Sequence, residues 1–246
     1  MLDGDFWNLV EASSDEKRKG EYFLRERGLE EHMKVANYLL AFKRGGGRKI
    51  KYSEVATVLR YDKRIRRCLF KYLGVIEERI RSHIFDAFRS DSSALKPTKK
   101  YEEKLRDFEG NLYEAVMHLM FSDLVSLFNK QDAFLKISVF GACERLEQNL
   151  RALVILRNQV CHNKFLLGNL ELGKCTRGGA ESSSLYANVK NLCCLTDSVC
   201  KESLIKEIND CSRLGSSKHD NQVRWSLPPY VVINLRDDPF FVHLNL

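Results

Sequence analysis

The placement of proline is the feature that most constrains the fold of this 246-residue chain. Proline inside a helix removes a backbone donor and clashes with the preceding turn, so it rarely occurs there. All four prolines lie outside the segments with helical hydrophobic periodicity: Pro97, Pro228, Pro229 and Pro239. The clearest apolar stripe recurs at three- and four-residue spacing: Leu69, Leu73, Ile76, Ile80 and Ile84. This period is typical of a helix with one buried face, and it predicts an all-α protein.

The periodic segments also predict where the helices begin and end. Asp62 is a good N-cap for a long helix that reaches about Phe88, after a shorter one that starts at Ser53. A helix with a possible bend near Gly141 is expected to carry the most polar motif of the chain. Further predicted helices cover 20–44, 99–119, 121–129, 131–162 and 186–213. Loops are expected at 45–47, 89–98 and 168–184, and no internal repeat is evident.

The chain is predicted to form one domain, 1–246, with four parts. These are an N-terminal helical region (20–52), a core bundle (53–167), a loop with a closing helix (168–214) and a short irregular tail (215–246). With 44% hydrophobic and 30% charged residues, the composition is that of an ordinary globular protein. No apolar leader and no segment long enough to cross a bilayer is evident, so we expect a cytoplasmic protein without membrane partners.

Eight cysteines raise the alternatives of a zinc site and of buried thiols. The chain contains no Cys-x2-Cys pair, which zinc sites commonly use. Cys193, Cys200 and Cys211 recur at seven and eleven residues and would share one helical face. Reduced thiols in the core are therefore favoured over a metal site, and no metal or other cofactor is expected.

The excess positive charge is concentrated in one segment. The formal charge of the chain is +7, and residues 48–81 alone contain 11 basic and 4 acidic residues. A solvated helix face is the simpler interpretation of such a run, and an RNA-guiding surface is the alternative. The candidate RNA-binding residues are Arg60, Lys63, Arg64, Arg67 and Lys71.

The motif best suited to catalysis consists of Arg157, Asn158 and His162. On a helix, Asn158 and His162 share a face, whereas Arg157 and His162 lie roughly 140° apart around the axis. Asn158 can orient the imidazole, while the guanidinium of Arg157 can donate two parallel hydrogen bonds to a phosphate. The spacing alone is weak, because Arg27 and His32 repeat it beside two carboxylates that would repel phosphate. Structural roles remain open: a helix-end histidine bonded to a carbonyl, and an arginine paired with Glu77 or Glu78.

Three blocks of sequence resemble the Abi-like (AbiD/AbiF-type abortive infection) proteins of the HEPN ribonuclease superfamily. The blocks are Arg157-Asn158 with His162, Tyr61-Asp62 with Ile65-Arg66, and Ile76-Glu77 with Ile80-Arg81. The resemblance spans residues 20–210 and implies an all-α HEPN-type helical bundle. It departs from the family at Asn163, where a second histidine is frequent, and at Phe121-Ser122-Asp123, where a Ser-Phe-Gly-type element is expected.

The resemblance also implies a function. HEPN nucleases are regarded as metal-independent endoribonucleases that use the RNA 2′-hydroxyl as nucleophile, so Arg157, Asn158 and His162 are the implied catalytic residues. The motif contains one histidine per chain, which supplies half of the proton transfers, so a homodimer with a composite site is favoured. The implied biology is an anti-phage or toxin-like effector that is controlled by an antitoxin, a small RNA or a phage signal. The alternative is a non-catalytic RNA-binding or scaffold protein with the same cleft and basic helix.

Overall fold

The computed structural model describes residues 3–42, 49–168, 171–177, 179–213 and 227–235. Helix makes up 71% of it, which confirms the predicted all-α class. The strands within these ranges are two or three residues long. The chain divides into two compact units, one of residues 1–68, 163–169 and 205–246, the other of residues 69–162 and 170–204. The prediction of a single domain stays a prediction.

The first unit begins with three helices and a pair of two-residue strands. In chain order these elements are α1 (Asp3–Leu9), β1 (Val10–Glu11), α2 (Ser14–Arg27), α3 (Leu29–Phe42) and β2 (Ile50–Lys51). β1 and β2 are parallel, with Val10 opposite Ile50. A capping box of Ser13 and Glu16 starts α2, and Gly28 ends it with a φ of 84°. The predicted helix 20–44 is therefore two helices, and the predicted break at 45–47 lies outside the described residues.

Helix α4 (Tyr52–Phe88) is one uninterrupted helix of 37 residues. The predicted N-cap role of Asp62 is wrong, because Asp62 lies ten residues inside this helix and is buried. The apolar stripe already begins upstream of it, at Val55 and Val58, so a break at Asp62 would interrupt a continuous buried face. The five predicted stripe residues from Leu69 to Ile84 are all buried, which confirms that part of the prediction.

The second unit contains short helices and one hairpin. In chain order they are α5 (Lys99–Asp107), α6 (Leu112–Met117), α7 (Phe121–Lys130), α8 (Ala133–Phe140), α9 (Leu146–Cys161), β3 (Cys175–Arg177), β4 (Ala180–Ser182) and α10 (Leu185–Leu195). Helix α11 (Ser198–Asp210) follows and belongs partly to each unit. Among the described residues, no helix is both long and apolar enough to span a bilayer.

Several predicted helices of this region are divided by breaks of two to five residues. The predicted helix 131–162 breaks at Gly141, with a φ of 67°, and α9 starts only after Arg145, which has a φ of 48°. The predicted helix 99–119 breaks at Glu109 and Gly110, which also have positive φ. The predicted helix 186–213 is interrupted after Leu195, and the predicted loop 168–184 contains the antiparallel β3–β4 hairpin.

The division of the last predicted helix also corrects the account of the cysteines. Cys193 lies in α10, whereas Cys200 and Cys211 belong to α11 and its end, so the three do not share one helix face. Cys193 and Cys211 are buried and Cys200 is partly exposed, and all are free thiols. A hydrogen bond from Cys68 lowers the pKa of Cys211, whereas burial raises the pKa of Cys193 to about 12. No cluster of metal-ligating side chains occurs among the described residues.

Buried asparagines attach the hairpin segment to the helices of the second unit. Asn149 on α9 donates to the carbonyl of Thr176 at 3.2 Å and accepts from its N–H at 2.9 Å. Asn188 on α10 donates to the carbonyl of Gly173 at 3.0 Å, and Asn191 donates to the carbonyl of Asn149 at 2.8 Å. All three amides are fully buried. Because buried polar groups are costly unless they are bonded, this network fixes residues 173–176 against α9 and α10.

Four arginines of α4 donate to backbone carbonyls at the ends of other helices. In the first unit, Arg64 donates to the carbonyl of Arg213 at 2.7 Å, just beyond α11, and Arg66 donates to that of Asn163, just beyond α9. In the second unit, Arg79 donates to the carbonyl of Leu195 at 3.4 Å, at the end of α10. Arg81 also pairs with Glu77 at 2.5 Å and donates to three carbonyls around the end of α6: Val116, Met117 and Leu119. The last carbonyls of a helix have no partner within the helix, so these guanidinium groups replace water there.

Arg66 and Arg81, each paired with a carboxylate four positions earlier on α4, are called the clamp arginines, and they belong to a sequence repeat that the hydrophobic periodicity did not indicate. The six residues from Tyr61 to Arg66 (YDKRIR) correspond to the six from Ile76 to Arg81 (IEERIR), fifteen positions later. In each copy an acidic residue precedes an arginine by four positions and pairs with it. The repeat can be read from the sequence, but its structural role depends on backbone carbonyls that distant segments supply.

We predict that Arg81→Ala lowers the free energy of unfolding by about 2–3 kcal/mol, because it leaves Glu77 and three helix-end carbonyls without their charged donor. Urea unfolding followed by circular dichroism measures the effect. Arg89→Ala is the matched control, since Arg89 is exposed just after α4 and its loss should change stability by less than about 0.5 kcal/mol. Equal midpoints for the two variants would contradict the structural role of the clamp.

Candidate active site at the end of helix α9

Helix α9 presents the predicted motif at its C-terminal end. Leu150, Leu153 and Leu156 are fully buried and set the inward face of the helix. Arg157 is half-buried, whereas Asn158 and His162 are exposed. His162 is the C-cap residue, and its backbone N–H donates to the carbonyl of Asn158 at 2.9 Å. Asn163 follows with a φ of 54°, which turns the chain out of the helix.

The three motif side chains are available for a ligand. Across the ranges that the structure describes, Arg157, Asn158 and His162 make no side-chain hydrogen bond and no ion pair. The structural alternative for Arg157 was a pair with Glu77 or Glu78. Glu77 instead pairs with Arg81 at 2.5 Å. The guanidinium of Arg157 therefore keeps its donors for another acceptor.

His118 is a structural twin of His162 and shows what a helix-end histidine otherwise does. It is the C-cap of α6, with φ and ψ of −93° and 5° against −83° and 10° for His162. Its Nδ1 lies 3.0 Å from the carbonyl of Glu114 and 3.4 Å from the carboxylate of the same residue. The ring of His32, in the second copy of the arginine–histidine spacing, is buried with Nδ1 3.0 Å from the carbonyl of Gly28. The ring of His162 has no such contact among the described residues.

The motif can perform acid–base and phosphate chemistry at the protein surface. Asn158 and His162 lie four residues apart on the exposed face of α9, and Arg157 adds a planar cation near the same helix end. An imidazole accepts and donates protons near neutral pH, and a guanidinium stabilises the negative charge of a phosphorane. One copy of the chain contributes one imidazole to this arrangement.

The Tyr61–Arg66 block anchors the segment that follows the motif in the chain. Within the first unit, Asp62 accepts from the N–H groups of Leu166 at 2.8 Å and Leu167 at 3.3 Å. Arg66 approaches Asp62 to 3.1 Å as an ion pair, although the two atoms are not aligned as a hydrogen bond. The hydroxyl of Tyr61 accepts from the N–H of Ile233 at 2.8 Å. The block thus has a structural role.

Burial changes the protonation chemistry of this anchor. It raises the pKa of Asp62 from 3.8 to about 6, although Arg66 and the two backbone donors oppose the change. Burial also raises the pKa of Tyr61 to about 12. Asp62 is therefore a carboxyl that titrates close to neutral pH.

The five predicted RNA-binding residues of α4 differ in their surroundings. Arg60, Lys63 and Arg67 are exposed at three- and four-residue spacing in the first unit. Arg64 is partly buried and donates to the carbonyl of Arg213. Lys71, in the second unit, is exposed with its Nζ 4.8 Å from the ring centre of Tyr72. The exposed face thus keeps only part of the positive charge that the sequence concentrates in this helix.

No family model, curated protein or solved structure matches the chain. The function must therefore be argued from the geometry of the motif and from the residues that carry the resemblance.

We predict that Asp62→Asn removes a component of the pH dependence of stability. The folded-state pKa of Asp62 is raised above its ordinary value, so the wild type gains stability relative to the variant as the pH falls from about 6 to about 4. A pKa change from 3.8 to about 6 corresponds to a total gain of about 3 kcal/mol in the free energy of unfolding, most of which is reached by pH 4. Urea unfolding of both proteins between pH 4 and 7 measures it, and parallel curves would contradict the buried carboxyl.

Proposed function

We propose that this protein is a metal-independent endoribonuclease whose active site contains Arg157, Asn158 and His162. The observation that carries the proposal is that these three side chains lie at one helix end and make no hydrogen bond or ion pair among the described residues. The same positions carry the resemblance to the HEPN ribonucleases. The contrast between His162 and its twin His118 supports it further, because only His118 is held by its own helix.

The proposed reaction needs two proton transfers. A base removes the proton of the 2′-hydroxyl, and the oxygen attacks the adjacent phosphorus. The bond from phosphorus to the 5′-oxygen then breaks, and an acid protonates that oxygen, which leaves a 2′,3′-cyclic phosphate and a 5′-hydroxyl. Arg157 neutralises the extra negative charge of the phosphorane, and Asn158 orients the imidazole of His162.

A second copy of the chain would complete the site. One His162 cannot be base and acid in the same step, whereas two copies related by a two-fold axis supply both roles and two arginines. The exposed position of the motif leaves room for a second copy to approach. The exposed Arg60, Lys63 and Arg67 are the proposed RNA-guiding residues of α4.

The cellular setting follows from the resemblance and belongs to the same proposal. A ribonuclease of this type acts in the cytoplasm as an abortive-infection or toxin-like effector against phage. Such an activity must be restrained in a growing cell, by an antitoxin protein or by a regulatory RNA. Arg60 and Lys63 offer the same phosphate-binding chemistry to a regulatory RNA as to a substrate.

We predict that the purified protein cleaves RNA in the presence of EDTA and that His162→Ala lowers the rate by about 10²–10⁴-fold, because it removes a proton-transfer group. His118→Ala is the matched control, with the same backbone position at a helix end and no expected loss of cleavage. Gel analysis of the products measures the rate, and DNA of the same sequence should remain intact because it lacks the 2′-hydroxyl. RNA binding without cleavage by the wild type would favour the non-catalytic RNA-binding alternative.

We predict that His162→Ala subunits suppress the wild type when the two are refolded together. In a tenfold excess of the variant, about ten of every eleven wild-type chains pair with a variant chain, so activity per wild-type chain should fall by about tenfold. An equal excess of the His118→Ala variant is the control for mixing. Unchanged activity per wild-type chain would show that each copy acts alone and would reject the composite site.

A further inference from the structure

A groove with basic side chains lies beside the N-terminal half of α9, within the second unit. Its volume is about 400 Å³, and it is formed by α9 and by the segment that contains Gly173 and Lys174. The charged residues of its lining are Arg145, Arg151, Lys174 and a single acidic residue, Glu147. The lining therefore has an excess of positive charge, which suits a polyanion.

The backbone that forms the groove is held rigidly. A Cβ on Gly173 would lie 2.6 Å from the Cα of Ala152 on α9, so only glycine permits this close approach. The buried amide of Asn188 holds the carbonyl of Gly173, and Asn149 is bonded to Thr176 in both directions. Lys174, between these two anchored residues, is thus presented from a fixed backbone.

The cations of the groove can accept phosphate. The ammonium of Lys174 has no hydrogen bond and no ion pair within the described part of the chain, and the residue is exposed. Arg145 pairs with Glu181 at 2.8 Å, and Arg151 pairs with Glu147 at 2.5 Å. The side chains of both pairs are 44–70% exposed, and such pairs contribute little to stability. The carboxylates of Glu181 and Glu147 offset the charges of the two arginines, but because the pairs are weak, a phosphate can compete with them for the guanidinium groups. Lys174 is the cation of the lining that no carboxylate pairs with among the described residues.

The groove is continuous with the motif along one exposed face of α9. Arg151, Ile155, Asn158 and His162 follow one another at spacings of four, three and four residues, and all four are exposed. Arg151 lies seven residues before Asn158, which is about 10 Å along the helix axis. A single strand of RNA whose scissile phosphate lies at the motif would meet the groove with its neighbouring phosphates.

We propose that this groove binds the backbone of the substrate strand next to the scissile phosphodiester, with Lys174 and Arg151 as phosphate-binding residues. This inference rests on the proposed ribonuclease function and names the path of the substrate through the second unit. The contacts are to phosphate and not to bases, so they position the strand without selecting its sequence. Neither residue touches the reacting atoms.

The test measures binding of a fluorescent single-stranded RNA to the His162→Ala protein in EDTA, at several KCl concentrations. Lys174→Ala and Arg151→Ala should each weaken binding about fivefold and lower the slope of log affinity against log salt by about 0.7, the value for one phosphate contact on a single strand. Lys174→Arg should retain both values. Lys206→Ala, which removes another exposed cation, from α11, is the matched control and should change neither beyond error.

Binding of single-stranded DNA distinguishes the contribution of the groove from that of the catalytic motif, because groove contacts to phosphate do not need the 2′-hydroxyl. The same variants should therefore weaken DNA binding to the same extent. In the active protein they should raise KM and leave kcat unchanged.

Two failures can be told apart. If the wild type cleaves RNA but Lys174→Ala and Arg151→Ala bind like the Lys206→Ala control, the groove proposal is overturned and the ribonuclease stands. If the wild type does not cleave RNA while both variants lose affinity, the ribonuclease is overturned and the groove stands as a strand-binding surface.

Discussion

The ends of several helices in this protein depend on guanidinium groups from α4. A buried helix end leaves carbonyls that cannot all reach water, and each unsatisfied group costs about 1–3 kcal/mol. Arginine suits this position because its planar fork carries five donors and keeps its charge. Arg66 and Arg81 are each oriented by an acidic residue four positions earlier, so each clamp is a pair on one helix that binds the end of another segment. The charge of α4 is thus partly structural, and a simple count of its basic residues overstates the positive charge that the helix presents to solvent.

The sequence predicts the buried stripe of α4 well because a stripe is a local property of period 3.6. All five predicted residues from Leu69 to Ile84 are buried. The error at Asp62 has a different cause. An aspartate before a periodic segment is typical of an N-cap, but its partners here are N–H groups of Leu166 and Leu167, more than a hundred residues away. Tertiary partners of this kind leave no local signal, so the burial of this carboxyl could not be read from the pattern.

The breaks between helices also show that local sequence predicts only some of the helix ends. Gly28 and Gly141 end their helices with positive φ, and a glycine near a helix end is a recognisable signal. Asn163 also adopts a positive φ, and asparagine is after glycine a recognised residue at this position, whereas nothing in the residue type of Arg145 indicated its positive φ. The position of His162 at the end of α9 was predicted, whereas its role as the C-cap residue depends on the turn at Asn163.

The two helix-end histidines differ in the side chain that lies four positions earlier on the helix. In α6 this residue is Glu114, and both its carbonyl and its carboxylate lie close to the ring of His118. In α9 it is Asn158, a short neutral side chain that places no negative charge beside His162. In the proposed ribonuclease, a carboxylate there would compete with the phosphate of the substrate for the imidazole and for Arg157, whereas an amide can orient the ring without repelling an anion. The same backbone geometry thus yields a held histidine at one helix end and an available one at the other.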